Sequence, residues 1–75
     1  PLSEYQLNFL RAISSNVTKD FGLEKIREKY QLGSYSNINR LKKALLERDL
    51  IEKRGAEMAI TDPVFAKWFQ RKMMF

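Results

Sequence analysis

Residues 32–61 read LGSYSNINRLKKALLERDLIEKRGAEMAIT, and the fold turns on this stretch. Leu32-Gly33-Ser34 breaks the chain, because Gly33 supplies the positive φ that a tight turn needs. The polar run Ser34-Tyr35-Ser36-Asn37 starts a helix, and Ile38, Leu41 and Leu45 recur along it at helical spacing. The helix gives out near Asp49. Leu50–Arg54 and Met58–Thr61 then flank Gly55-Ala56-Glu57 as the two arms of a hairpin.

Upstream, Ser3 and Gln6 have capping-box spacing, Leu2 can staple onto Leu7, and Leu7, Leu10 and Ile13 form an apolar stripe with Phe9 beside it. The first helix is expected over Glu4–Ser14, ended by Ser15-Asn16. Val17-Thr18 is β-branched and brief, a candidate third strand on the hairpin. Asp20 is the expected N-cap of a second helix, in which Leu23, Ile26 and Tyr30 share a face. The opposite face (Glu24, Lys25, Arg27, Glu28, Lys29) reads as solvated. Downstream, Thr61-Asp62-Pro63 starts a last helix, with Asp62 or Thr61 as N-cap and Pro63 in the first turn. Trp68 is expected to close the core. Phe69, Met73, Met74 and Phe75 cannot all share one stripe, so this end is the candidate partner-binding surface.

Bulk properties narrow the function. Seventy-five residues make one small domain, and 44% hydrophobic residues with nine aromatics suit a folded one. The chain has no cysteine and no histidine, which excludes disulfides, thiolate or imidazole metal sites, and any catalysis that uses those side chains. The absence of cysteine is compatible with a reducing compartment, and the expected location is cytoplasmic. No apolar run approaches bilayer-spanning length and no signal-peptide pattern opens the chain, so no membrane partner is expected. The chain starts at Pro1 without an initiator methionine, which suggests an excised domain. A net charge of +5 favours an acidic partner. The excess sits mainly in residues 36–54. There Arg40, Lys42, Lys43, Arg48, Lys53 and Arg54 outweigh Glu47, Asp49 and Glu52 for a net +3.

Two helices joined by a short glycine-bearing turn can present the second helix to a DNA major groove. The candidate contacts are Ser34, Tyr35, Ser36, Asn37, Asn39, Arg40 and Lys43, with Lys53 and Arg54 of the hairpin on the phosphate backbone. Asn pairs with adenine, Arg with guanine, and Ser, Tyr and Lys with phosphate. Read the other way, Ser36 and Asn37 merely cap the helix while Arg40 and Lys43 are solvated. Glu57 at the hairpin tip opposes the two bases there.

The order of helix, helix, turn, helix and two-stranded wing resembles the winged helix. Ile38-x-x-Leu41-x-x-x-Leu45 running into Leu46-Glu47-Arg48-Asp49-Leu50-Ile51 is similar to the segment that leads into the wing of such domains, with Asp49 where glycine is usual. The fold expected is therefore mainly α with a small β-hairpin: a winged helix-turn-helix with a three-helix core, a wing and a C-terminal helix. More narrowly, Tyr30-x-Leu32-Gly33-Ser34-x-Ser36-Asn37-Ile38 and Thr61-Asp62-Pro63-Val64-Phe65-Ala66-x-Trp68-Phe69 resemble the C-terminal winged-helix domain of archaeal-type AAA-superfamily ATPases, which also occur in bacteria. That resemblance covers about residues 2–72 and implies that residues 1–75 form a single domain at the C-terminal end of a larger ATPase. No Gly-x-x-x-x-Gly-Lys-Ser/Thr sequence occurs here, so ATP and magnesium are expected in the parent's ATPase domain, with no cofactor in this chain. The function expected is noncatalytic binding of double-stranded DNA through the third helix and wing. The alternatives are a regulatory module packing on its own ATPase domain or a protein partner, and a stand-alone winged-helix transcription regulator. No carboxylate pair is placed for catalysis, so the chain is not expected to be an enzyme.

Overall fold

The computed structural model describes residues 1–73, Met73 by its backbone only. Helices α1 (Glu4–Ser14), α2 (Glu24–Tyr30) and α3 (Tyr35–Glu47) precede strands β1 (Ile51–Arg54) and β2 (Glu57–Ile60), and α4 (Pro63–Met73) follows. The strands pair antiparallel, Ile51 opposite Ile60 and Arg54 opposite Glu57, as a two-stranded sheet. This is the mainly helical architecture with a hairpin that the sequence implies.

Local chemistry sets the element ends. Ser3 Oγ accepts from the Gln6 N–H while the Gln6 side chain accepts from the Ser3 N–H, closing the expected capping box on α1. The three core helices then end in one way, on a polar residue of positive φ followed by an aliphatic one. At the end of α1, Asn16 (φ 70°) precedes Val17, whose N–H reaches the Ala12 carbonyl. At the end of α2, Gln31 (φ 55°) precedes Leu32, whose N–H reaches Arg27. At the end of α3, Asp49 (φ 57°) precedes Leu50, whose N–H reaches Leu45 while that of Asp49 reaches Leu46. These are the bonds of a Schellman close, in which a left-handed residue lets the chain reverse over the last carbonyls. Asp49 thus does the work of the glycine usual there. Its short polar side chain tolerates the left-handed region better than most.

Residues from α1, α3, the hairpin and α4 form a single core, in which Phe9 stacks on Phe21 at 4.4 Å between centroids. Ile38, Leu41 and Leu45 are the buried stripe of α3, as their spacing requires. Asp62 Oδ1 accepts from the Val64 N–H, capping α4 ahead of Pro63.

Several expectations need correction. Asp20 is not the cap of α2. It takes a positive φ (61°) and its carbonyl accepts from the Leu23 N–H, while Leu23 occupies the cap position without a side-chain bond. Val17-Thr18 forms no strand. Its link to the hairpin is one bond, from the Met58 N–H to the Thr18 carbonyl at 2.8 Å. The hairpin turn is Gly55-Ala56 alone, and Glu57 belongs to β2. Gly55 has φ 65° and Ala56 does not turn left-handed, the pattern of a type II′ turn whose twist suits paired strands. The largest correction concerns α4. Phe69 is 1% exposed and lies in the core, whereas Trp68 is 52% exposed. The stripe facing α1 and β2 passes through Phe65 and Phe69, and Trp68 falls outside it. Phe69 is therefore no surface residue, and Trp68 does not close the core. The Met73 side chain, Met74 and Phe75 lie outside the described residues.

Candidate nucleic-acid interface

The turn between α2 and α3 is held by side chains from all three core helices. Asn8 of α1 donates from Nδ2 to the Gln31 carbonyl at 2.9 Å. Asn37 of α3 donates from Nδ2 to the Leu32 carbonyl at 3.0 Å. Arg27 of α2 donates from Nη1 to the Gly33 carbonyl at 3.3 Å and from Nε to the Gly22 carbonyl at 2.9 Å. Three consecutive carbonyls, which a tight reversal leaves without helical partners, thus each receive a different helix's donor. Asn8 is itself oriented by Arg11, whose Nη1 donates to Asn8 Oδ1 at 2.6 Å, and it is the buried polar side chain of the core. Leu32, at 0% exposure, plugs the turn into the core.

Two close approaches tighten the junction. A Cβ on Gly33 (φ +85°) would stand 3.0 Å from Asn37 Nδ2, and one on Gly22 would stand 2.7 Å from the Tyr35 ring. Tyr35 therefore sets its ring against Gly22 while remaining 70% exposed. The N-terminus of α3 is fixed against both turns that flank α2.

With its core stripe inward, α3 turns Ser36, Asn39, Arg40 and Lys43 outward. They are spaced i, i+3, i+4 and i+7, and all are exposed. Glu47 continues the same stripe at the helix end and lowers its positive charge. Ser34 is the N-cap residue, but its hydroxyl meets that of Ser36 at 3.1 Å rather than a helix N–H. So neither Ser36 nor Asn37 caps α3. Asn37 is half-buried with its amide committed to the turn, which places it apart from the outward residues. Lys42 leaves this face too and sits over the Phe21 ring, 5.6 Å from its centroid.

On the hairpin, Lys53 and Arg54 are exposed but adjacent in β1, so they leave on opposite faces of the ribbon. Lys53 shares its face with Met58 across the ladder. Arg54 donates from Nε to Glu52 Oε2 at 2.8 Å on the other face, an exposed ion pair that offsets the positive charge of Arg54 there. The structure therefore groups Ser36, Asn39, Arg40 and Lys43, sets Ser34 and Tyr35 at their N-terminal end, and separates Asn37 and Arg54 from them. The sequence reading missed the roles of Asn8, Arg11 and Arg27 in positioning the turn. Their only local sign is a polar residue on an otherwise apolar helix face, at Asn8 between Leu7 and Phe9.

Three helices, a clamped turn before the third and a hairpin directly after it define a winged helix-turn-helix domain, a class that commonly binds DNA. The chain belongs to the family described as "Probable winged helix domain", whose model matches residues 1–71. No curated protein and no solved structure matches the chain. Among the described residues, no helix is long and apolar enough to cross a membrane.

Proposed function

We propose that this chain is a noncatalytic domain that binds double-stranded DNA, with α3 in the major groove and Lys53 of the wing on the phosphate backbone. The observation that carries the reading is the outward stripe of Ser36, Asn39, Arg40 and Lys43 on a helix whose N-terminus is anchored by the clamped turn. Asn39 and Arg40 are the base-edge readers in this arrangement, and Ser34, Tyr35, Ser36 and Lys43 the phosphate contacts. Asn37 and Arg54 act indirectly, Asn37 by holding the turn and Arg54 by pairing with Glu52.

The expected result is saturable duplex binding that weakens with salt. In Arg40→Ala/Lys43→Ala, affinity falls by roughly tenfold or more, and the slope of log K against log salt shrinks by about 1, the share of the Lys43 phosphate contact. Circular dichroism serves as a control, since both residues are exposed. A flat titration of the unmodified chain at low salt overturns the reading. The resemblance of 30–38 and 61–69 to ATPase-linked winged helices supports a further proposal, that the domain serves a larger protein whose own P-loop module binds ATP and magnesium. The coding sequence upstream of Pro1 tests it. A P-loop there upholds the proposal, and a different domain, or none, favours a transcription regulator.

A further inference from the structure

The outer face of α4 combines exposed apolar and basic side chains. Val64, Trp68 and Arg71 share one stripe at i, i+4 and i+7, with Lys67 on one flank and Lys72 on the other. Val64 is 76% exposed and Trp68 half-exposed, and they are neighbours on one stripe, where contiguous exposed apolar groups mark an interaction surface. Trp68 is not loose. Its ring stacks with Phe65 at 5.9 Å between centroids and an interplanar angle of 21°. It stands as a ridge between two clefts. One, of about 370 Å³, is lined by Leu2, Leu7, Phe65, Trp68 and Phe69. The other, of about 460 Å³, is lined by Val64, Lys67, Trp68, Arg71 and Lys72.

Charge decides what such a surface takes. No acidic residue occurs in α4. Among the described residues the one ion pair is Arg54–Glu52, so Lys67, Arg71 and Lys72 have no carboxylate partner there. We infer that this face is a docking site for an acidic amphipathic helical segment of a partner protein. The segment sets an aliphatic or aromatic side chain into the cleft beside Trp68 and carboxylates against Lys67, Arg71 and Lys72. The apolar cleft separates this occupant from others that a basic surface attracts. A base edge in that cleft would meet four hydrocarbon side chains and the Trp68 indole, and lose most of its hydrogen bonds. A lipid surface would bear on the ridge and leave the cleft unfilled. The inference does not rest on DNA binding, because α1 packs against both α3 and α4 and their outer faces are separate surfaces.

Trp68 is the sole tryptophan, so its emission reports the site directly. The probe is a helical peptide of roughly 14 residues, long enough to lie along the ~16 Å of α4, with leucines on one face and glutamates flanking them. A matched peptide carries lysines in place of the glutamates. The glutamate peptide is expected to shift Trp68 emission to the blue in a saturable titration, and the lysine peptide to bind at least about tenfold more weakly. Arg71→Glu/Lys72→Glu, both exposed, weakens the glutamate peptide by about tenfold. Trp68→Ala, followed by anisotropy of a labelled peptide, weakens it by about thirtyfold. The inference is overturned by a flat titration, by equal binding of the two peptides, or by tighter binding to an oligothymidylate or to phosphatidylserine vesicles.

Discussion

The helix-turn-helix junction and the hairpin lie on either side of α3 and are built in opposite ways. At the junction every reversing carbonyl has a side-chain donor, Leu32 is sealed in the core, and a Cβ on Gly33 would crowd the Asn37 amide. The hairpin has four-residue strands, a two-residue turn with nothing within 4 Å of where a Gly55 Cβ would sit, and a fully exposed tip. Its inward face enters the core through Ile51, Met58 and Ile60, and only the tip from Arg54 to Glu57 stands clear. The junction fixes the angle at which α3 is presented, which base-edge contacts require to within a fraction of a hydrogen bond. The hairpin tip is restrained by its turn and its ladder alone, which is sufficient for a phosphate contact that tolerates displacement. Local opening should follow the same division, since few buried contacts hold the tip.

Substitutions test the contrast. The largest effect is expected from Leu32→Ala, which empties a fully buried site at the turn and should cost about 2–5 kcal/mol, measured by denaturant unfolding. In a domain of this size such a loss leaves little folded protein. A cost below ~1 kcal/mol would show that the turn is not anchored through this side chain.

Next come the two glycines of positive φ. Gly33→Ala meets both backbone strain and Asn37 Nδ2, whereas Gly55→Ala meets strain alone. The left-handed backbone costs about 1–2 kcal/mol in each. Gly33→Ala should add the loss of the Asn37 bond to the Leu32 carbonyl, about 1 kcal/mol more. Melting temperatures should therefore separate the variants by roughly 4–8 °C, with Gly33→Ala the lower. Equal values would mean that the close approach at the junction relaxes freely.

The smallest effect is expected from Glu52→Ala. The pair it breaks with Arg54 is exposed, so stability should change by less than ~1 kcal/mol. Releasing Arg54 should nonetheless raise duplex affinity at low salt if the wing approaches the phosphate backbone, and an unchanged affinity would place the wing away from DNA.

Much of the architecture was legible in the sequence. The capping box at Ser3 and Gln6, the cap at Asp62, the positive φ at Gly33 and the substitute for glycine at Asp49 all follow from interactions within a few residues. The outward stripe of α3 follows equally well, because Ile38, Leu41 and Leu45 fix its core face and leave Ser36, Asn39, Arg40 and Lys43 no other direction. Asp20 misled because an Asp ahead of a helix serves either as a cap or as a left-handed turn residue, and the need to bury Phe21 selects the turn. Asn37 and Arg27 look like surface groups in the sequence, since the carbonyls that claim them belong to a turn whose path is set by the packing of α1, α2 and α3.

By itself the sequence determined where α1, α3 and α4 begin, that a hairpin turning at Gly55 follows α3, and which side of α3 faces outward. These depend on bonds spanning three to five residues and on a periodicity that needs no partner. Only the tertiary structure decided which aromatic of α4 is buried. Phe65, Trp68 and Phe69 are all large enough to fill a core, and the choice rests on the position of α1 and β2, more than fifty residues and a few residues away in the chain respectively. Burying Phe69 against them turns Trp68 and the basic residues around it outward.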